Sequence, residues 1–378
     1  MTVGDEPDAR SGSPVFGAKH LKLLIAGGGT GGHVIPALAV AREWLSRDAK
    51  REVVFVGTRR GIETRLVPAA GLELETIRSA GLKGMGPARL VRNALQLAPA
   101  LFDSAAILRR HRFAGAFCVG GYAAGPVVLL SAMNGMRTVI FEPNAEPGFS
   151  NRLLAMFATR MATGYPSVAE SWGARAKFTG CPVRPEFFAI PSRRPVAPYH
   201  VLITGGSQGA RVINRAVVSA LDIFAARNFP LSLVHQTGER DYNEVRSAYE
   251  SRNVRAEVAP FFTNMSDRFA QADLIVCRAG AITVAEIAAA GRAALFIPFG
   301  AATDSHQLRN ALEMARAGAA RLIPEPELSG ERLAQEISNL IAQPQQLVDL
   351  GARARQLARP HAARDIADMI DEVIAGNG

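Results

Sequence analysis

One short pattern occurs twice in this chain: an apolar strand that runs into a glycine-rich turn and opens a helix. LKLLIAGGGTGGH spans Leu21–His33 and VLITGGSQGAR spans Val201–Arg211, with Thr30 and Ser207 in matching positions. Such a turn presents backbone N–H groups at a helix N-terminus, where an anion is stabilised. Two copies nearly half a chain apart constrain the fold to two α/β units, and 378 residues suffice for two cores. Short β-branched runs alternate with helical patterns throughout. Strands are expected at Leu21–Ala26, Glu52–Val56, Ala116–Val119, Thr138–Glu142, Val201–Thr204, Leu231–Gln236, Leu274–Cys277 and Ala294–Pro298. Helices are expected at Pro36–Ser46, Ala210–Ala226 and Ile282–Ala290. This alternation predicts an α/β protein of two Rossmann-like domains, whose parallel sheets face each other across a cleft.

The boundaries follow from composition. Residues 1–19 are polar and rich in Gly, Ser and Pro, without an apolar signal core, and read as a flexible tail. Residues 20–185 form the first domain and 186–357 the second. Five prolines within Thr179–His200 suit a stiff linker between them. Residues 358–378, after a break near Pro360, are expected to return as a helix onto the first domain. Ala114–Met136 carries no charge and is long enough for a membrane span. Its five glycines and Pro126 favour a buried strand, loop and helix instead. Three dispersed cysteines support neither a disulfide framework nor a zinc site. No HExxH, GxSxG or Walker A sequence occurs.

Gly27, Gly29 and Gly32 form a literal G-x-G-x-x-G, yet VFVGTRR at the second strand lacks the acidic residue that grips a ribose. Arg59 and Arg60 there leave an NADP-dependent oxidoreductase open as an alternative. His33 opens the first helix, whose dipole disfavours its protonation. It can act as general base, as a hydrogen-bond partner of substrate, or as a cap of its own helix. Gly205–Gly209 and Arg278–Thr283 each follow a strand and form phosphate-sized nests. Glu286, one turn into the next helix, can accept both hydroxyls of a ribose or stand as a solvated helix charge. Asp304, His306, Gln307 and Asn310 form a polar cluster suited to sugar hydroxyls or to a simple helix start.

Taken in order, GGGTGGHVIPALAVA, CVGGYAAGP, GGSQGAR, HQTG, CRAGAITVAEIAAAGRAALFIPF and DSHQLRNA resemble the MurG family of bacterial N-acetylglucosaminyltransferases. The resemblance runs from Leu21 onward. It implies a GT-B fold and inverting transfer from UDP-N-acetylglucosamine to the C4 hydroxyl of the muramoyl sugar of lipid I, giving lipid II. By motif position it places Thr30, Gly31, Gly32 and Asn144 of the first domain on the donor. It completes that site with Arg184, at the end of the first domain, and with Ser207, Phe262, Ala281, Ile282, Thr283, Val284, Ala285, Glu286 and Gln307 of the second, with Glu286 on the ribose. His33 is the candidate base, and neither metal nor cofactor is implied. Phe262 stands where the family is often aliphatic, and Glu142-Pro143-Asn144 departs from the family's Glu-Gln-Asn. A UDP-N-acetylglucosamine 2-epimerase on the same fold, or a non-catalytic membrane-docked scaffold, are the alternatives.

The charge is uneven. The whole chain is +9, but residues 20–185 hold 21 Lys and Arg against 10 Asp and Glu, whereas residues 186–378 are close to neutral. Arg78–Arg112 carries seven of those bases (Arg78, Lys83, Arg89, Arg92, Arg109, Arg110 and Arg112) among leucines and Phe102. A basic, apolar segment suits an anionic membrane surface, placing the protein peripherally on the cytoplasmic face of the plasma membrane. The alternative is an ordinary helix with a solvated basic face. No nucleic-acid motif accompanies the charge.

Overall fold

The computed structural model describes residues 20–29, 31–78, 87–121, 123–227, 229–252, 254–300 and 306–376, with the side chains of 87–97 excepted. The first sheet contains β1 (Leu21–Ala26), β2 (Arg51–Thr58), β3 (Glu73–Ile77), β4 (Gly115–Cys118), β5 (Thr138–Glu142), β6 (Arg160–Thr163) and β7 (Ala176–Phe178). Its order is β3-β2-β1-β4-β5-β6-β7, and every pair is parallel. The second contains β8 (Tyr199–Thr204), β9 (Leu231–Gln236), β10 (Ala256–Ala259), β11 (Leu274–Cys277), β12 (Ala293–Phe296) and β13 (Arg321–Leu322). Its order, β10-β9-β8-β11-β12-β13, repeats the first, again all parallel. Both are doubly wound Rossmann-like sheets.

Strand alternation builds the cores. Leu23 and Ile25 face one side of the first sheet, and Leu24 and Ala26 the other. In the second sheet Val201 and Ile203 face one core, and Leu202 the opposite one. Each such Leu, Ile or Val side chain, fully withdrawn from water, stabilises the fold by about 1.5–3 kcal/mol. The strands absent from the sequence expectation, β3, β6, β7, β10 and β13, are short. Most lie at sheet edges, half exposed, and lack a continuous apolar run. The uncharged stretch Ala114–Met136 resolves into β4, a glycine turn and the helix Ala124–Met133. Among the described residues no helix is long and apolar enough to cross a membrane.

Two crossings join the domains. Residues 179–183 are packed rather than exposed, with Cys181 in the first core and Val183 in the second. The helix Ala362–Ala375 lies against the helix Gly31–Leu45, with Ile366, Met369, Ile370 and Val373 in the first core. Asp371 secures it, accepting from Trp44 Nε1 and Arg47 Nη1 at 2.8 Å each. It also accepts from Arg51 Nη1 at 3.1 Å, and Arg51 stacks over the Trp44 ring.

Candidate active site

The glycine loops follow β1 and β8, the central strands at which each sheet reverses its winding; ligands bind at such switch points. The loops after β1 and β4 touch backbone to backbone. A Cβ on Gly121, at φ +83°, would lie 2.4 Å from the Gly28 carbonyl oxygen, so only glycine is tolerated there. His33 stands on the helix Gly31–Leu45 directly after this loop. A ring N–H donates to the Gly28 carbonyl, which leaves the lone pair of the neutral imidazole on its other nitrogen. Its proton affinity is lowered, chiefly by burial; Glu142, the Gly28 carbonyl and Glu63 oppose this, and His306 reinforces it. Thr30, Lys83 and Asp304 lie outside the described residues, as do the side chains of Arg89 and Arg92.

Sequence reasoning missed Glu63. It is completely buried under the first loop, where it accepts from Gly29 N–H at 2.9 Å and from Thr58 N–H and Oγ1 at 2.8 Å each. Glu142, at the end of β5, is a second buried carboxylate. It accepts from the backbone and side-chain amides of Asn144 (2.9 Å each), from Gly148 N–H (3.1 Å) and from the Asn151 amide (2.9 Å). The loop after β5 is thereby fixed.

Asn310 carries that order across the cleft. Fully buried, it donates to Asn144 Oδ1 and to the Ala279 carbonyl at 3.1 Å each, and accepts from Ala145 N–H at 2.8 Å. This corrects the reading of Asn310 as a sugar-binding amide: its oxygen and its NH2 group are engaged in joining the domains. Gln307, on the same helix, accepts from Phe299 N–H at 3.0 Å.

In the second domain Gly209 and Gly238 both have positive φ, and their loops interlock. A Cβ on Gly209 would meet the Thr237 carbonyl oxygen at 1.9 Å. Gln236 ties the loop from the side, donating to Thr204 Oγ1 (3.2 Å) and the Gly206 carbonyl (3.0 Å) and accepting from Phe262 N–H (2.8 Å). The Phe262 N–H is thus used within the protein, and its ring packs under Arg268. Ser207 is exposed at the tip of the turn.

Glu286 sits on the helix Ala281–Ala290, buried, with Arg184 Nη2 3.1 Å from its Oε1. It is not the solvated charge considered above. Burial pushes its carboxyl up to about 7 against the pull of Arg184, with Glu186 adding to the rise. The N–H groups of Ala281, Ile282 and Thr283 have no partner within their own helix. The Ile282 side chain enters the first domain's core and Val284 the second's, so any ligand contact from these two comes from backbone. This helix packs on the helix Gly31–Leu45, bringing the elements that carry His33 and Glu286 to one cleft. Arg278 does not face the nest: it pairs with Glu325 and donates to the Ile297 carbonyl at 3.0 Å.

Comparison with known proteins decides what this cleft belongs to. The N-terminal domain profile of glycosyltransferase family 28 matches residues 23–163, and its C-terminal domain profile matches residues 200–370. The chain belongs to glycosyltransferase family 28. Among family 28 relatives, a UDP-N-acetylglucosamine–N-acetylmuramyl-(pentapeptide) pyrophosphoryl-undecaprenol N-acetylglucosamine transferase of Solibacter usitatus is 42% identical over 93% of this chain and 96% of its own. The enzyme of the same name from Geotalea uraniireducens is 44% identical over 92% of this chain and 97% of its own. The crystal structure of Acinetobacter baumannii MurG superposes with a TM-score of 0.77 at 30% identity, covering 93% of this chain and 99% of that one. The fold is GT-B, as the resemblance implied.

Two other features of this glycosyltransferase lie away from the cleft. A depression of about 290 Å³ behind the second sheet is lined by Arg193, Arg292 and Arg355. Arg292 and Arg355 donate to the carbonyls of Phe269, Ala270, Phe188, Ile190 and Ala290, which closes helix ends and explains the charges structurally. Glu73, Glu75 and His111 bring potential metal-ligand atoms within 4.8 Å of one another at the edge strand β3, where Arg110 already pairs with Glu75.

Proposed function

We propose that this glycosyltransferase moves N-acetylglucosamine from UDP-N-acetylglucosamine to the C4 hydroxyl of the muramoyl sugar of lipid I, making lipid II for peptidoglycan synthesis. Near-full-length identity to enzymes named for this transfer supports the substrates. The observation that carries the site is the buried Glu286–Arg184 pair, on a helix packed against the one that bears His33.

Residues 20–185 take the acceptor and the membrane side, residues 186–357 the nucleotide sugar, and residues 358–378 return to the first domain. Glu286 receives the ribose hydroxyls, and the Phe262 segment faces the uracil through its backbone. The diphosphate lies against Ser207 and the N-terminal N–H groups of the helices Arg211–Ala226 and Ala281–Ala290, with Arg184 beside it. Gly31, Gly32, Thr30, Asn144 and Gln307 complete the donor pocket. In the reaction the bond from sugar C1 to the β-phosphate oxygen breaks as C1 bonds to the acceptor oxygen. The hydroxyl proton passes to His33, and the electron pair departs on UDP. The low proton affinity of His33 keeps it neutral at pH 7, ready to accept.

The membrane face needs revision from the sequence pattern. Arg78 is engaged by Asp103 at 2.8 and 2.9 Å and Arg110 by Glu75, so two of the seven bases are neutralised. Arg109 and Arg112 are exposed. Exposed Phe102, Met133, Phe149 and Leu153 lie on three successively packed helices of the first domain, and exposed Met156 and Phe157 on the turn after the third. This apolar surface with its basic residues is the face we assign to the anionic cytoplasmic leaflet. Turnover is tested by UDP release with and without a lipid I analogue. Release that ignores the acceptor, or isomerised UDP-sugar in its absence, would replace the transferase reading with hydrolysis or epimerisation.

A further inference from the structure

In a dinucleotide-binding domain the glycine loop after the first strand receives a phosphate on its N–H groups. Here one of those N–H groups already has an anion. Glu63 Oε2 accepts from Gly29, while Oε1 holds Thr58 through both its N–H and its hydroxyl. The carboxylate is completely buried, and among the described residues no ion pair with it is found. Burying a carboxylate without a cation costs several kcal/mol unless donors surround it.

The surrounding chain is built to admit it. A Cβ on Gly61 would fall 1.9 Å from Glu63 Oε2, on Gly28 2.4 Å from Oε1, and on Gly57 2.5 Å from Cγ. None of the three has a positive φ, so glycine is not required there by the backbone. Their missing side chains serve the space that Glu63 fills. Three segments (the loop after β1, the end of β2 and the turn before the helix Glu63–Ala69) each contribute one of these glycines.

We propose that Glu63 is the positioning residue of the first loop: it occupies the place of a bound phosphate, fixes Gly29, and through Gly28 sets the orientation of His33. The chain of contacts is short. Gly29 is held by Glu63, its neighbour Gly28 receives the His33 ring N–H, and Gly28 is pressed on Gly121. The charged groups that act on His33 are Glu63 and Glu142, which favour its protonation, and His306, which opposes it. Occupying the first loop also leaves the second, Gly205–Gly209, as the loop for the donor's diphosphate. The mechanistic part of this proposal rests on reading His33 as the base.

The test is E63Q in the full chain, with G61A, which crowds the carboxylate without altering it, as a second variant. In E63Q one amide N–H must oppose a backbone or hydroxyl donor. Gly29 amide exchange should quicken, kcat should fall roughly tenfold and donor KM should stay within about twofold. Loss of the charge should lower the midpoint of the His33 ring titration, followed by NMR, by about 0.5. Mere destabilisation of the fold would quicken exchange across the core amides alike, whereas loss of the Glu63 contact quickens Gly29 selectively. An unchanged His33 midpoint together with unchanged Gly29 exchange overturns the proposal. H33A separates the two readings: wild-type turnover there removes His33 as base, while the Gly29 exchange still decides whether Glu63 holds the loop.

Discussion

In the first domain the loop after β1 is filled from beneath by the carboxylate of Glu63, whereas the loop after β8 is held from the side by the neutral amide of Gln236. The two loops follow strands in the same position of the same sheet order. A carboxylate under the first repels phosphate and favours protonation of a nearby base. A neutral amide beside the second leaves its field positive toward a diphosphate. On the proposed assignment one scaffold yields a proton-handling half and a phosphate-handling half, and the two loops differ in the buried side chain that holds each.

The comparison is most sharply tested at His33. If the first loop handles the proton, H33A should lower kcat by roughly 10²–10⁴-fold. UDP affinity, measured by calorimetry, should stay near wild type. Weaker UDP binding with little loss of kcat would move phosphate handling into the first loop and invert the assignment.

Glu286 tests the other half. Its carboxyl, pushed up to about 7 by burial, is largely protonated at pH 6 and ionised at pH 8. An ionised carboxylate accepts both ribose hydroxyls, so donor affinity should strengthen as pH rises through 7. E286Q should raise donor KM roughly 10–100-fold and flatten that pH dependence, with a smaller effect on kcat. For stability the sign is opposite. A raised folded value means this group's contribution is complete below its ordinary value of 4.5 and is lost as pH rises through about 7.

The repeat around Thr30 and Ser207, the central strands and the positions of His33 and Glu286 were legible because each combines a local pattern with glycine punctuation. Glu63 was not. Its neighbours in sequence, Ile62 and Thr64, give no hint that three glycines elsewhere vacate space for it. Asn310 was legible as a polar residue on the face of Gln307, but its task depends on which loop lies opposite, which only the packed domains define. The bases of Arg78–Arg112 were countable, yet sequence spacing does not reveal that Asp103 and Glu75 take two of them. The apolar residues 149–157 were overlooked because their short helix, Phe149–Leu154, shows too little periodicity to display a face.

The membrane assignment separates the halves by surface as well as by loop. R109S together with R112S should weaken binding to anionic vesicles roughly thirtyfold, at about 1 kcal/mol for each cation near the surface. Equal charge removal from the second domain, at Arg246 and Arg316, should change co-sedimentation little; both are exposed and already paired within their own helices. Equal losses from the two pairs would mean that net charge, rather than the acceptor-side face, directs docking.

The mildest expected effect compares two histidines. Burial disfavours protonation of both, but His235 lies on β9 among structural partners. Asn214 donates to the Thr237 carbonyl at 2.9 Å and to Asp241 at 3.0 Å, so its oxygen faces His235 Nε2 at 3.1 Å and must receive a proton from it. That fixes the Nε2–H tautomer, and the Tyr249 hydroxyl, 3.2 Å from Nδ1, donates back. Burial holds the imidazole down to about 3 from its ordinary 6.5. Between those values the unfolded chain binds the proton and the folded one does not, so stability falls as pH drops from 6.5 toward 3. The slope for one group reaches about 1.4 kcal/mol per pH unit. H235Q should be less stable than wild type in urea at pH 7, and its deficit should shrink by about 1 kcal/mol between pH 6 and 5 as this cost disappears. A constant deficit would mean that His235 is protonated in the fold, and that burial does not hold the two histidines in the same state.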